Sequence, residues 1–196
     1  AGTSLYLETY GASNTFQAFD AISSGTTTTI IAPGGIEVNT NVNSGSHVTL
    51  TAVNGLIDIN TPLTLASGNL ITTSIDLENT GGPIVVPGNF TMNHNGSILL
   101  DDDVTLTGST STMSFSNNPF LTVLSADITL PSNVGSGSLL NFSGGVVGWV
   151  MEESSITTRT GYVGSVTSGD ITLDGGNPLD FPQEVEWHNT GNLYVG

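Results

Sequence analysis

From Ile36 to Leu106 the apolar residues recur as short triplets, each with one polar residue between two apolar ones. They are Ile36-Glu37-Val38, Val48-Thr49-Leu50, Ile57-Asp58-Ile59, Leu63-Thr64-Leu65, Ile75-Asp76-Leu77, Phe90-Thr91-Met92 and Val104-Thr105-Leu106. Alternation over three residues turns two side chains to one face of a strand and the third to the other. No segment keeps the i, i+3, i+4, i+7 spacing of a helix beyond one turn. Comparable triplets recur at similar intervals: Ile36 to Ile57 is 21 residues, Ile57 to Ile75 is 18 and Ile75 to Ile98 is 23. A period near ~20 lies in the range of stacked solenoid coils.

A three-residue strand buries almost nothing alone. Stacked ~4.8 Å from the same strand of the next coil, it gains ladder hydrogen bonds and extends one apolar column. The pattern therefore predicts an all-β fold, a parallel β-solenoid (β-helix) with terminal caps. The alternative is an antiparallel β-sandwich or jelly roll with strand exchange between subunits, which the shortness of the strands disfavours. Asn54-Gly55, Asn95-Gly96, Gly81-Gly82 and Gly34-Gly35 are expected to supply positive φ at coil corners. Pro62, Pro83, Pro87 and Pro131 fall at triplet edges, where a lost N–H is tolerable. The many asparagines at these corners suggest side-chain ladders between coils.

No linker interrupts the chain, so residues 1–196 are read as a single domain. Residues 1–24 concentrate aromatic and apolar side chains (Leu5, Tyr6, Leu7, Tyr10, Phe16, Phe19, Ile22) and form either an N-terminal cap or an extension that docks on a neighbouring subunit. Leu5 to Leu7 suits a strand, and Phe16 to Ile22 one or two helical turns with Asn14 as N-cap. Solenoid coils are assigned to 25–143. The apolar run Val146 to Met151 breaks the style and marks 144–162 as a lateral insertion or hairpin. C-terminal coils fill 163–196, ending in strands at Val185–His188 and Leu193–Val195.

Charge narrows the functional classes. The 196-residue chain has 17 acidic residues, and Arg159 is its only Lys or Arg, so the formal net charge is -16. Nucleic-acid binding is excluded for want of cations to neutralise phosphate, and docking to an anionic membrane is disfavoured for the same reason. The carboxylates must be solvated, spread apart, or bridged by Ca²⁺ or other cations. There is no cysteine, hence no disulfide. No stretch approaches ~18 consecutive apolar residues, so no membrane insertion by a helix is expected. A chain beginning Ala1-Gly2 reads as a mature form from which a leader has been removed.

No catalytic motif stands out. Asp101, Asp102 and Asp103 are the densest charge and the candidate cation ligands, although consecutive side chains point apart and a solvated corner accounts for them. Glu152-Glu153 reads as an exposed loop. A glycosidase would need two carboxylates from neighbouring coils, for which Asp58 and Asp76 are the candidates. His47, His94 and His188 lack ligand spacing and read as surface or turn residues. Three glycosylation sequons, at Asn89, Asn95 and Asn141, are within chance in so Ser- and Thr-rich a chain. Thr-x-Thr pairs at Thr27/Thr29, Thr49/Thr51 and Thr105/Thr107 resemble ice-binding solenoids. The outward positions read as Glu37, Asp58, Thr64 and Asp76, together with uneven coils, tell against that.

The segment GIEVNTNVNSGSHVTLTAVNGLIDIN (35–60) resembles repeats of filamentous-haemagglutinin-type secreted adhesins. Both combine I-x-I or V-x-L strands with an LTA-x-x-G-x-I turn, here Leu50-Thr51-Ala52-Val53-Asn54-Gly55 leading to Ile57. The likeness covers roughly 36–130 and implies a parallel β-helix, secretion and surface attachment. The chain departs from that pattern in being short, in its uneven coils and in having no recognisable secretion module.

Together these readings predict an extracellular or cell-surface structural protein, not an enzyme, with no cofactor beyond bridging cations. Its partners would be copies of itself in a homopolymer, joined through the solenoid ends. The expected interface residues are Leu5, Tyr6, Leu7, Tyr10, Phe16 and Phe19 at one end and Trp187, Leu193, Tyr194 and Val195 at the other, because open β edges must be capped or will pair. The alternatives are a monomeric adhesin that binds surface glycans and, further off, a carbohydrate-active β-helix or an ice-binding protein.

Overall fold

The computed structural model describes residues 3–108, 111, 113–116, 120–124, 127–129, 140–141, 148–152, 155–157, 171–174 and 193–195. Among them there is no helix, and every strand pairing is parallel. The first turn consists of β1 (Leu5–Glu8), β2 (Thr15–Ala18) and β3 (Ile22–Ser24). The second has β4 (Thr28–Ile31), β5 (Gly35–Val38) and β6 (Val42–Ser44). In the third, β7 (Val48–Ile59) bends and serves two faces before β8 (Leu63–Leu65); in the fourth, β9 (Leu70–Asn79) does the same before β10 (Ile84–Val86). The fifth has β11 (Phe90–His94), β12 (Ser97–Leu100) and β13 (Val104–Leu106).

These turns stack as a β-solenoid with three faces. Face one runs from β1 through β4 and the first half of β7 to the first half of β9 and β11; face two runs from β2 through β5 and the second halves of β7 and β9 to β12. Face three is the separate sheet of β3, β6, β8, β10 and β13. The ladders continue through β14 (Met113–Ser116), β15 (Phe120–Leu124), β16 (Asp127–Thr129), β17 (Leu140–Asn141), β18 (Gly148–Glu152), β19 (Ser155–Thr157), β20 (Ile171–Asp174) and β21 (Leu193–Val195). The stretch whose pattern suggested a lateral insertion thus contains two ladder strands, β18 and β19. The expected helical turns at 16–22 are absent, because Phe16 and Ala18 instead continue the columns of Ile36 and Val38.

On face two of the first five turns, register makes the repeat more even than triplet spacing suggested. Ile36 pairs with Ile57, Ile57 with Leu77 and Leu77 with Ile98, offsets of 21, 20 and 21 residues. Ile75 is no counterpart of Ile57. It sits at the corner where β9 bends and is 39% exposed, whereas Leu77 is fully buried. Inward columns such as Val48–Leu70–Phe90–Met113 and Val42–Leu63–Ile84–Val104 form the core, each member at or near zero exposure. Each such side chain contributes about 1.5–3 kcal/mol by burial.

Corners are polar ladders. Asn60 Nδ2 donates to Asn39 Oδ1 at 3.1 Å, and Thr80 Oγ1 donates to Asn60 Oδ1 at 3.2 Å. A second ladder runs from His47, whose Nδ1 accepts the Asn69 N–H at 3.0 Å, to Asn69, whose Oδ1 accepts the Asn89 N–H at 2.8 Å. The glycine corners split into two kinds. Gly35 and Gly82 have φ of 153° and 147°, as expected of a corner glycine. Gly55 instead is needed for space: a Cβ there would overlap the Gly34 carbonyl of the turn before.

Candidate functional site

Two surfaces depart from the surrounding Ser, Thr and Asn background: the outer edge of the first turn and a carboxylate column on face two.

The first turn lies at one edge of the described stack. Among the described residues β1, β2 and β3 each pair with a strand on one edge only. Leu5, Leu7 and Phe16 occupy inward positions, yet they stay half-buried, because the core lies against them from one side only. Tyr6, Tyr10 and Phe19 project outward at 58%, 77% and 72% exposure. Glu8 accepts hydrogen bonds from the Tyr6 hydroxyl at 2.9 Å and the Tyr10 hydroxyl at 3.1 Å. Those bonds first, with partial desolvation and the negative charge of Glu8 adding to them, hold the two phenols above their ordinary pKa. Six of the expected interface residues are therefore brought together on one turn. At the other end, Leu193, Tyr194 and Val195 form β21, which pairs with β20. Trp187 lies outside the described residues, as does His188.

On face two, register stacks Gln17, Glu37, Asp58 and Glu78 in consecutive turns. Parallel strands lie ~4.8 Å apart, so three carboxylates stand shoulder to shoulder. Amides hydrogen-bond to two of them: Gln17 Nε2 donates to Glu37 Oε2, Asn39 Nδ2 to Glu37 Oε2 at 3.4 Å, and Asn60 Nδ2 to Asp58 Oδ2 at 2.8 Å. Asp58 Oδ1 is buried and accepts no hydrogen bond. Beside the column lies a shallow groove of about 200 Å³, lined by residues including Thr15, Gln17, Gly35, Glu37, Leu56 and Asp58. Such a column repels itself and draws cations from solution.

The candidate carboxylate pair, Asp58 and Asp76, is not formed. Asp76 pairs with Leu56 rather than Asp58, and its Oδ1 accepts the Ser97 N–H at 2.6 Å. The triplet reading missed this because it placed Ile75 where Leu77 belongs. Asp101, Asp102 and Asp103 follow β12 at a corner, where Asp101 N–H donates to the Asn79 carbonyl and the Asp103 carbonyl accepts the Ile84 N–H. Among the described residues no group of three or more His, Asp or Glu converges to hold a metal ion.

His94 differs most from its sequence reading. It is an inward residue of β11 with no exposed surface. Its Nε2 lies 2.9 Å from Thr72 Oγ1 and its Nδ1 2.7 Å from Ser74 Oγ. Ser74 Oγ donates to the Asp76 carbonyl, so it must accept from Nδ1–H, and Nε2 then accepts from Thr72. Burial lowers the ring pKa to about 4, against smaller opposing pulls from a hydrogen bond to the Ser74 backbone and the charge of Asp76. Strand alternation through Phe90, Met92 and His94 was the available signal for an inward ring. No family model, no curated protein and no solved structure matches this chain.

Proposed function

We propose that the chain is a secreted structural protein, the subunit of an extracellular filament or surface layer, joined end to end through its solenoid ends. The observation that carries this reading is the first turn: strand edges without a partner among the described residues, above Leu5, Leu7 and Phe16, three inward residues only half-buried. A further β-turn laid on that edge would complete their burial and continue three hydrogen-bonded ladders at once. The occupant is the opposite end of a second copy, which supplies a parallel strand of the same geometry. Secretion and surface attachment are supported by the adhesin likeness of residues 35–60. In this reading the protein is not an enzyme and holds no cofactor; Ca²⁺ or other cations act by screening a net charge of -16.

Sedimentation and negative-stain imaging of the full chain, at low salt, high salt and with added Ca²⁺, test the proposal. The expected result is fibres or linear oligomers that grow with salt and are lost in Leu7→Asp and Phe16→Asp. A protein that stays monomeric under all three conditions overturns it.

A further inference from the structure

Face one carries two outward columns that the triplet reading did not resolve. Backbone register aligns Thr29, Thr49, Ile71 and Thr91 in one, and Ile31, Thr51, Thr73 and Asn93 in the other. Across four consecutive turns the eight positions hold five threonines, two isoleucines and one asparagine, with no charge and no aromatic ring. All eight are half-buried, so each is shouldered by its neighbours and none stands proud. The single register shift between β7 and β9 falls between Ala52 and Leu56, at the corner beyond this face. The residues that argued against such a surface lie elsewhere: Glu37 and Asp58 on face two, Thr64 on face three and Asp76 at a bend. Of the Thr-x-Thr pairs, only Thr49/Thr51 belongs to this face intact; Thr27 precedes β4, and Thr105 is on face three.

We infer that face one is an ice-binding surface, its ligand the crystal plane itself. A regular array in two directions complements a partner that repeats in two directions. Strand spacing of ~4.8 Å and an i to i+2 spacing of ~6.7 Å are close to the in-plane oxygen repeats of the prism face of hexagonal ice. β-Branched side chains have few χ1 choices, so methyls and hydroxyls are held in place before contact. The hydroxyls of Thr29, Thr49, Thr51 and Thr91 make no hydrogen bond within the described residues, and Asn93 Nδ2 reaches Thr73 Oγ1 at 3.3 Å. Ordered water can therefore bridge the threonines to the lattice, while the methyls favour loss of disordered water between them. The absence of charge matters because strongly hydrated ions would break the array; the outward positions of face three, Ser23, Asn43, Thr64, Val85 and Thr105, are uncharged too, but its three-residue strands carry a single outward column, whereas face one repeats in both directions. A saccharide surface would call for aromatic stacking, and the outward tyrosine of this face, Tyr6, lies on the first turn beyond the array.

The test is ice recrystallisation inhibition and ice-affinity partitioning of the full chain, with circular dichroism to confirm folding. The wild type is expected to enter the ice fraction and keep crystal grains small. Thr51→Glu, in the centre of the array, should raise the concentration needed by about tenfold or more, while Thr64→Glu, the same charge change on face three, should leave it unchanged. No ice activity in the wild type, or equal loss in both variants, overturns the inference. So does a dimer in sedimentation that Thr51→Glu dissociates while ice partitioning stays at background, since the face would then belong to a second copy.

Discussion

Ser74 and His94 stand in one inward column on consecutive turns, with the serine hydroxyl 2.7 Å from ring Nδ1. A buried imidazole held by two hydroxyls is neutral, and burial sets its pKa near 4 against an ordinary 6.5. The unfolded chain therefore binds the proton first as pH falls. The stability linked to His94 is complete above about pH 6.5, is lost between there and about pH 4, and falls no further below, for a total of about 3 kcal/mol. Urea denaturation across pH 7 to 4 should show this loss in the wild type, over and above a background shared with His94→Gln. Equal pH slopes in the two proteins would refute it.

Ile75 and Leu77 look equivalent in the chain, yet only Leu77 is buried. Leu77→Ala leaves a hole in the column between Ile57 and Ile98 and should cost about 2–5 kcal/mol. Ile75→Ala, at an exposed corner, should stay within about 0.5 kcal/mol. Denaturation midpoints of the two variants check the register directly; similar losses would mean that β9 is paired differently.

Asp58 is flanked by Glu37 and Glu78 and keeps one carboxylate oxygen buried without a partner. Like charges directly opposite on neighbouring strands destabilise a sheet. Asp58→Asn should therefore stabilise the protein by about 0.5–1 kcal/mol at low ionic strength. That gain should shrink with added salt as the column is screened. Thermal unfolding with and without salt measures it, and a destabilised variant at low salt would contradict the prediction.

The solenoid was legible because apolar-polar-apolar triplets are its unit, and the polar corners because Asn and Gly have few other uses at that density. What the triplets could not show was which corner each bend occupies. Along β9 burial alternates through Leu70, Thr72 and Ser74, then resumes at Leu77 after a break of phase. Ile75 and Asp76 sit inside that break, so counting by twos misplaced both, and the candidate pair Asp58 and Asp76 with them. The carboxylate and threonine columns were hidden for a related reason: each is made of residues some 20 positions apart, and one slipped register scatters it. Glycines were found but half explained. A sequence shows that Gly55 is glycine, not whether φ or the neighbouring turn demands it.

On face two of the first five turns, parallel pairing at an offset of 20 or 21 residues fixes the size of the loop closed by each new ladder. The entropy cost of closing a loop depends on its length, so the fifth turn costs no more to add than the third. The sequence separation of paired residues stays nearly constant over these turns while the chain grows. Folding can thus proceed by zipping outward from any turn that forms first. The same arithmetic bears on ancestry: duplicating one turn's worth of sequence lengthens the molecule without disturbing any pairing already made.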